Sequence, residues 1–286
     1  MTKAVVDSRF AKPSTLFFGI GAQKAGTSWL HAYLKQHPDA CVPPVKELHY
    51  WSYLQKGGSF THDVQKEQLA KAQKEGVTPG RFLDLCIKMR ETKDPAHTRY
   101  ADILFRRFEG QKILGEITPD YAKLSTESFA QMAALNADTR FIFLMRDPIE
   151  RLHSAMRKRL RNRDGGDRAR KFGKDEVLAE LKTVLTGKRQ SAVLRSQYSR
   201  TINNLEAAVA PEKIGYFFYE DVFEKGNADD ICDFLGIAHI PGDFETRINP
   251  GNPQEKEFDL AFRALALERL GEEYSKMRAK FGDRLP

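Results

Sequence analysis

The sequence predicts a three-layer α/β fold, a central parallel sheet flanked by helices, and three observations carry that reading. Leu16–Ile20 (LFFGI), Phe141–Met145 (FIFLM) and Ile214–Tyr219 (IGYFFY) are apolar runs too short for helices, each closed by turn or charged residues, as fully buried strands are. The stretches between them have helical spacing, and strands alternating with helices form parallel sheets covered on both faces. The first strand also runs into a loop with a glycine at each end and then into a helix.

In chain order, the segment Met1–Thr15 has Lys3 ahead of only a short apolar stretch, then Asp7, Arg9 and Lys12 where an apolar core would be needed, and an early Pro13, which does not fit a secretory signal. The first strand is followed by a helix over Thr27–His37. Residues 55–100 are polar, contain Gly57-Gly58 and Thr78-Pro79-Gly80, and read as a helical insertion over the sheet edge. Lys112–Leu114 is a weaker fourth strand. Further helices are expected over Ser125–Ala134, Ile149–Leu160, Val177–Leu185, Val193–Val209 and Ala228–Leu235, and the amphipathic Phe258–Phe281 closes the chain. No internal repeat or low-complexity linker interrupts this order, so a single domain over residues 1–286 is expected.

With 41% hydrophobic residues the chain can bury an ordinary core, which excludes disorder as its dominant state. No apolar run reaches the roughly 18 residues of a membrane span. Cys41, Cys86 and Cys232 are odd in number, widely spaced and without a C-x-x-C pair, so they suggest reduced thiols in a cytoplasmic protein, with no metal site. The formal charge is +7, and it has one source. Between Arg157 and Lys174 lie nine basic and two acidic residues, and the rest of the chain is neutral. Apart from Phe172 no aromatic is interleaved there, which argues against nucleic acid. This basic loop, about 157–174, is read either as a solvated surface segment or as a rim that attracts an anionic substrate.

The most informative segment is Gly21-Ala22-Gln23-Lys24-Ala25-Gly26-Thr27-Ser28-Trp29-Leu30. Backbone N–H groups at the start of a helix, together with its dipole, make a phosphate site. Gly21 and Gly26 have the separation of a nucleoside-triphosphate P-loop, G-x-x-x-x-G-K-[ST], but the lysine has moved into the loop at Lys24. The fold is therefore P-loop-like, and the displaced lysine argues against an ATPase.

A second anchor follows the strand Phe141–Met145, in Arg146-Asp147-Pro148-Ile149-Glu150-Arg151-Leu152-His153-Ser154. Asp147 suits a helix N-cap and Pro148 the first helical turn. Arg146 then sits at the carboxyl end of a buried strand, where an ATPase would place an acid for Mg²⁺ and where an arginine suits a phosphate. Ser154, two turns on, can face the same side, whereas Arg151 reads as a salt-bridged helix residue. Between the two anchors, Lys46-Glu47-Leu48-His49-Tyr50-Trp51 brings a carboxylate, an imidazole and two aromatics into six residues.

These segments resemble the sulfotransferases that use 3′-phosphoadenosine 5′-phosphosulfate (PAPS). Gln23–Leu30 is similar to their 5′-phosphosulfate loop, which implies donor contacts from Lys24, Ala25, Gly26, Thr27, Ser28 and Trp29, with Lys24 also catalytic. The pattern R-D-P-x-x-R-x-x-S is similar to their 3′-phosphate element, which implies Arg146 and Ser154. Lys46–Trp51 resembles the K-E-x-H-[FY]-[FW] segment of the glycosaminoglycan-type members, which implies Glu47 as catalytic base with His49 as the alternative. Gly115–Tyr121 resembles the element G-E-K-[ST]-P-x-Y beside the acceptor, with Ile117 in place of the common lysine. Tyr198 resembles another family position, but Ser196 and Leu205 replace the usual glycine and tryptophan, and Arg247–Asn252 matches a nucleotide-closing loop only loosely.

The resemblance covers about residues 15–50, 112–160 and 193–237. It implies a metal-independent sulfotransferase with PAPS as co-substrate and a small-molecule, lipid or saccharide acceptor. The competing readings are a P-loop kinase acting on a small molecule and a non-catalytic nucleotide- or polyanion-binding protein.

Overall fold

A computed structural model describes residues 6–56, 89, 94–165, 170–187, 191–245 and 260–284. Its core is a parallel sheet of five strands in the order β2-β3-β1-β4-β5, formed by Thr15–Gly21 (β1), Ala40–Cys41 (β2), Ile113–Ile117 (β3), Thr139–Met145 (β4) and Ile214–Phe218 (β5). The central strand β1 pairs Leu16 with Leu114 of β3 on one side and Phe18 with Phe141 of β4 on the other. All seven of its residues are buried. Helices on both faces explain why β1, β4 and β5 read as continuous apolar runs. The strand order reverses about β1, and such a reversal opens a crevice at the carboxyl ends of the strands.

The helices, numbered among the described residues, are Thr27–Gln36 (α1), Tyr50–Gln55 (α2), Thr98–Leu104 (α3), Thr126–Ala133 (α4), Pro148–Arg163 (α5), Lys174–Thr186 (α6), Ser191–Leu194 (α7), Tyr198–Glu206 (α8), Tyr219–Glu224 (α9), Asp229–Leu235 (α10) and Leu260–Phe281 (α11). A second apolar cluster, separate from the sheet core, joins Ile149, Leu152, Met156 and Leu160 of α5 to Val177 and Leu181 of α6 and to Phe262 and Leu270 of α11. It holds α5 in place beyond the edge of the crevice.

Three expectations change. The helix expected over Val193–Val209 is two helices, α7 and α8, because the chain turns at Arg195–Gln197. There Ser196 is fully buried, its Oγ accepting from Arg151 Nε at 2.6 Å and donating to the Pro148 carbonyl at 3.0 Å. The basic segment 157–174 is not one loop: α5 continues through Arg163, and Lys174 opens α6. Strand β3 extends past Leu114 to Ile117, and the short edge strand β2 is additional. Most of the 55–100 insertion and all of Arg247–Asn252 lie outside the described residues.

Candidate active site

The loop between β1 and α1 is built on two left-handed residues, Lys24 with φ 75° and Gly26 with φ 88°. At Gly26 a side chain is barred twice over, since a Cβ would lie 2.4 Å from Cε2 of Phe223 in α9. Gly26 is also the N-cap of α1 and offers no side-chain cap, so the N–H groups of Thr27 and Ser28 are left uncapped at the loop. Ala25 and Thr27 are buried, and Ser28 Oγ accepts from Lys46 Nζ at 3.4 Å. Trp29 serves the loop from behind. Its ring stacks between Tyr33 and Phe244, its indole N–H donates to the Asp243 carbonyl, and its backbone N–H is taken by Gly26.

At the end of β4, Arg146 lies over the ring of Tyr219 at 4.6 Å and donates from Nε to Glu150 Oε2 at 3.0 Å. Asp147 caps α5 by accepting from the Glu150 N–H at 2.7 Å, with Pro148 in the first turn, as the sequence predicts. Ser154 lies half-buried on the same helix. Arg151, expected to be salt-bridged, is instead fully buried and bound to neutral acceptors: Ser196 Oγ, the Ala192 carbonyl and, at 3.5 Å, the Gln23 carbonyl of the loop. Tyr198 OH donates to the Arg146 carbonyl at 2.8 Å. Arg151 and Tyr198 thereby tie both strand ends to the turn between α7 and α8, a role visible only once the chain is folded.

On the other flank of β1, the Glu47 N–H donates to the Ile117 carbonyl at 3.1 Å and fixes the 46–49 segment over the end of β3. Glu47 and His49 both have positive φ, 65° and 58°. Left-handed backbone in residues with a Cβ costs about 1–2 kcal/mol each, and such strain gathers at functional sites. Among the described residues four non-glycine positions have it, and three are Lys24, Glu47 and His49. The Glu47 carboxylate accepts from Lys46 Nζ at 2.8 Å and lies 3.5 Å from His49 Nε2. Burial raises its pKa, but the His49 contact and the Lys46 charge outweigh burial and hold the carboxyl well below the usual range. The side of His49 facing away from Glu47 points toward Asp120 at 4.0 Å, which is itself paired with Lys123 at 2.5 Å and Arg195 at 2.6 Å.

Beneath this flank, fully buried Glu116 accepts from Tyr100 OH at 2.6 Å, Thr118 Oγ1 at 2.7 Å and Tyr121 OH at 2.7 Å. Burial pushes its carboxyl up despite those three donors. The two sides meet at Lys46, which touches both Ser28 and Glu47. Lys24 lies in a field of one sign. Burial first, then the charges of Lys158, Arg161, Arg146 and Arg157, lower its ammonium to about 8. Sequence reasoning assigned no site role to Lys46, Glu116, Lys158 or Arg161; the signals were there for Lys46 as the neighbour of Glu47, for Glu116 as the acid of the Gly115–Tyr121 element, and for Lys158 and Arg161 only as part of the basic segment.

A parallel sheet whose central strand runs through a glycine-capped loop into a helix, with a lysine in the loop and an arginine at the adjacent strand end, defines a P-loop-like α/β protein. Comparison with known proteins narrows the class: residues 17–241 match the Sulfotransferase family, and the chain belongs to it. No curated protein matches the sequence. Among solved structures the fold is similar to a sulfotransferase from Alicyclobacillus acidocaldarius, with TM-score 0.65, 20% identity and 94% and 95% of the two chains covered. It is also similar to the sulfotransferase domain of the Synechococcus PCC 7002 olefin synthase, with TM-score 0.59, 19% identity and coverage of 96% and 97%. For the sulfotransferase domain of the curacin biosynthetic pathway the TM-score is 0.53, with 16% identity and coverage of 95% and 98%. At these identities the three neighbours speak for the fold. Among the described residues no His, Cys, Asp and Glu cluster could hold a metal ion, and no helix is long and apolar enough to cross a membrane.

Proposed function

We propose that this sulfotransferase moves the sulfuryl group of PAPS to a hydroxyl or amine acceptor in one in-line displacement. The observation that carries the reading is the division of charge about the end of β1: cations Lys24 and Arg146 on the β4 side, and the Glu47–His49 pair over β3. The α1 N-terminus, with Lys24, Gly26, Thr27 and Ser28, takes the 5′-phosphosulfate, and Arg146 with Ser154 takes the 3′-phosphate, Arg146 exchanging Glu150 for it. The S–O bond to the phosphate breaks as the acceptor atom bonds to sulfur. The acceptor proton passes to Glu47, with His49 as the alternative base, and Lys24 neutralises the charge left on the departing oxygen. Adenosine 3′,5′-bisphosphate (PAP) in the presence of EDTA should raise the melting temperature, and radiolabelled PAPS should pass its sulfate to an acceptor in a metabolite extract. Stabilisation by ATP with Mg²⁺ and none by PAP would point to a kinase and sink the proposal.

The lowered Lys24 ammonium gives a pH signature. Free protein loses this proton as pH rises through about 8, whereas bound phosphate favours the charged form. PAP affinity should therefore fall above that pH, and binding there should take up a proton, read as a calorimetric enthalpy that depends on the buffer's ionisation heat. Lys24→Arg should abolish both effects.

A further inference from the structure

The nine basic residues of 157–174 divide when their partners are traced. Arg159 and Arg163 both bind buried Glu180, at 2.7 and 3.0 Å, and Arg170 binds Asp164 and Glu176. The first two are structural pairs on the side of α5 that faces α6, and Arg170 joins the end of α5 to the start of α6. Lys158 and Arg161 differ. Both are half-buried, and among the described residues neither has a carboxylate partner; the Nε of Arg161 is buried with no hydrogen-bond partner. They follow Ser154 at intervals of four and seven residues, so they lie on its face of the helix, about 6 and 10 Å further along the axis. Long cations held half out of water without counter-ions are unfavourable unless a ligand completes them.

We propose that Lys158 and Arg161 form a subsite for an anionic group of the acceptor, so that the molecule sulfated carries a carboxylate, phosphate or sulfate beside the group that reacts. The inference rests on the PAPS reading above and adds the acceptor class to it. In that reading the donor's own phosphates are already served, by Lys24 with the α1 N-terminus and by Arg146 with Ser154. The surplus cations nevertheless belong to the same side: they continue the face of α5 that Ser154 opens, and their charges act on the Lys24 ammonium more than that of Arg146 does. An anion bridging them would sit near the sulfuryl group, where the acceptor must approach, and would relieve the repulsion among the cations.

The test uses the full chain saturated with PAP and titrated calorimetrically, in low salt, with a trisulfated disaccharide and its unsulfated parent as probes. The charged probe should bind about tenfold tighter or better, the preference should vanish in Lys158→Gln/Arg161→Gln and return in Lys158→Arg/Arg161→Lys, and PAP affinity should change less than about threefold. Equal binding of the two probes to the wild type overturns the subsite. So does a loss that falls on PAP instead, which would make both residues donor contacts. PAP that fails to bind the wild type, seen before any probe is added, defeats the donor reading itself and this inference with it.

Discussion

Replacing Lys24 with alanine is expected to lower kcat for sulfuryl transfer from PAPS by about 10²–10³-fold, the usual consequence of removing one contact to a developing charge. The same substitution should raise the melting temperature. The lysine is largely withdrawn from water, stands in the repulsive field of Lys158, Arg161, Arg146 and Arg157, and is held at φ 75°. Each of these disfavours the folded state with lysine present, and alanine removes the first two. Lys24→Gly would relieve the backbone as well, by about 1 kcal/mol. Activity down and stability up together mark a residue kept for chemistry at the expense of the fold. The measurements are single-turnover transfer from labelled PAPS and thermal unfolding without ligand. A variant that turns over normally would remove Lys24 from the mechanism, and one that is both inactive and less stable would recast it as a structural residue.

How much of this was legible in the sequence depended on how local the cause was. β1, β4 and β5 showed as apolar runs because helices cover both of their faces, whereas β3 was cut short at Leu114 because Gly115 and buried Glu116 interrupt its run. The break between α7 and α8 left no local mark. Leu194, Tyr198, Ile202 and Leu205 keep a helical period across it, and the turn is held by Arg151, which reaches Ser196 and Ala192 from another helix. The loop between β1 and α1 was legible as a strand-to-helix turn because its two glycines and the strand before it are local features. Glu47 and His49 stand as candidates through resemblance, since a carboxylate and an imidazole in a loop are otherwise unremarked; what the fold adds is their shared left-handed backbone. Lys158 and Arg161 were visible only as part of a charge total, because what separates them from Arg159 and Arg163 is Glu180, a partner on the next helix.

The carboxylate and imidazole are separable by substitution. Glu47→Gln is expected to lower kcat by about 10²–10⁴-fold, the range of general-base catalysis, while the KM for PAPS moves little. His49→Gln should have a smaller effect, because His49 reaches the site through Glu47, at 3.5 Å, and through Asp120. In the free protein Glu47 is a weak base: the His49 contact and the Lys46 charge hold its carboxyl well below the usual range. Lys46 also reaches the loop between β1 and α1, through Ser28 Oγ. A donor phosphate arriving at Ser28 would draw the Lys46 ammonium toward itself and leave Glu47 with His49 alone, a stronger base than before. In the proposed reading donor binding would thus be coupled to base activation, and Lys46→Met should uncouple them, raising the KM for PAPS while the chemical step at saturating donor slows less than in Glu47→Gln. Rapid-quench measurement of that step in the three variants decides the matter. If His49→Gln falls further than Glu47→Gln, the imidazole is the base and Glu47 orients it.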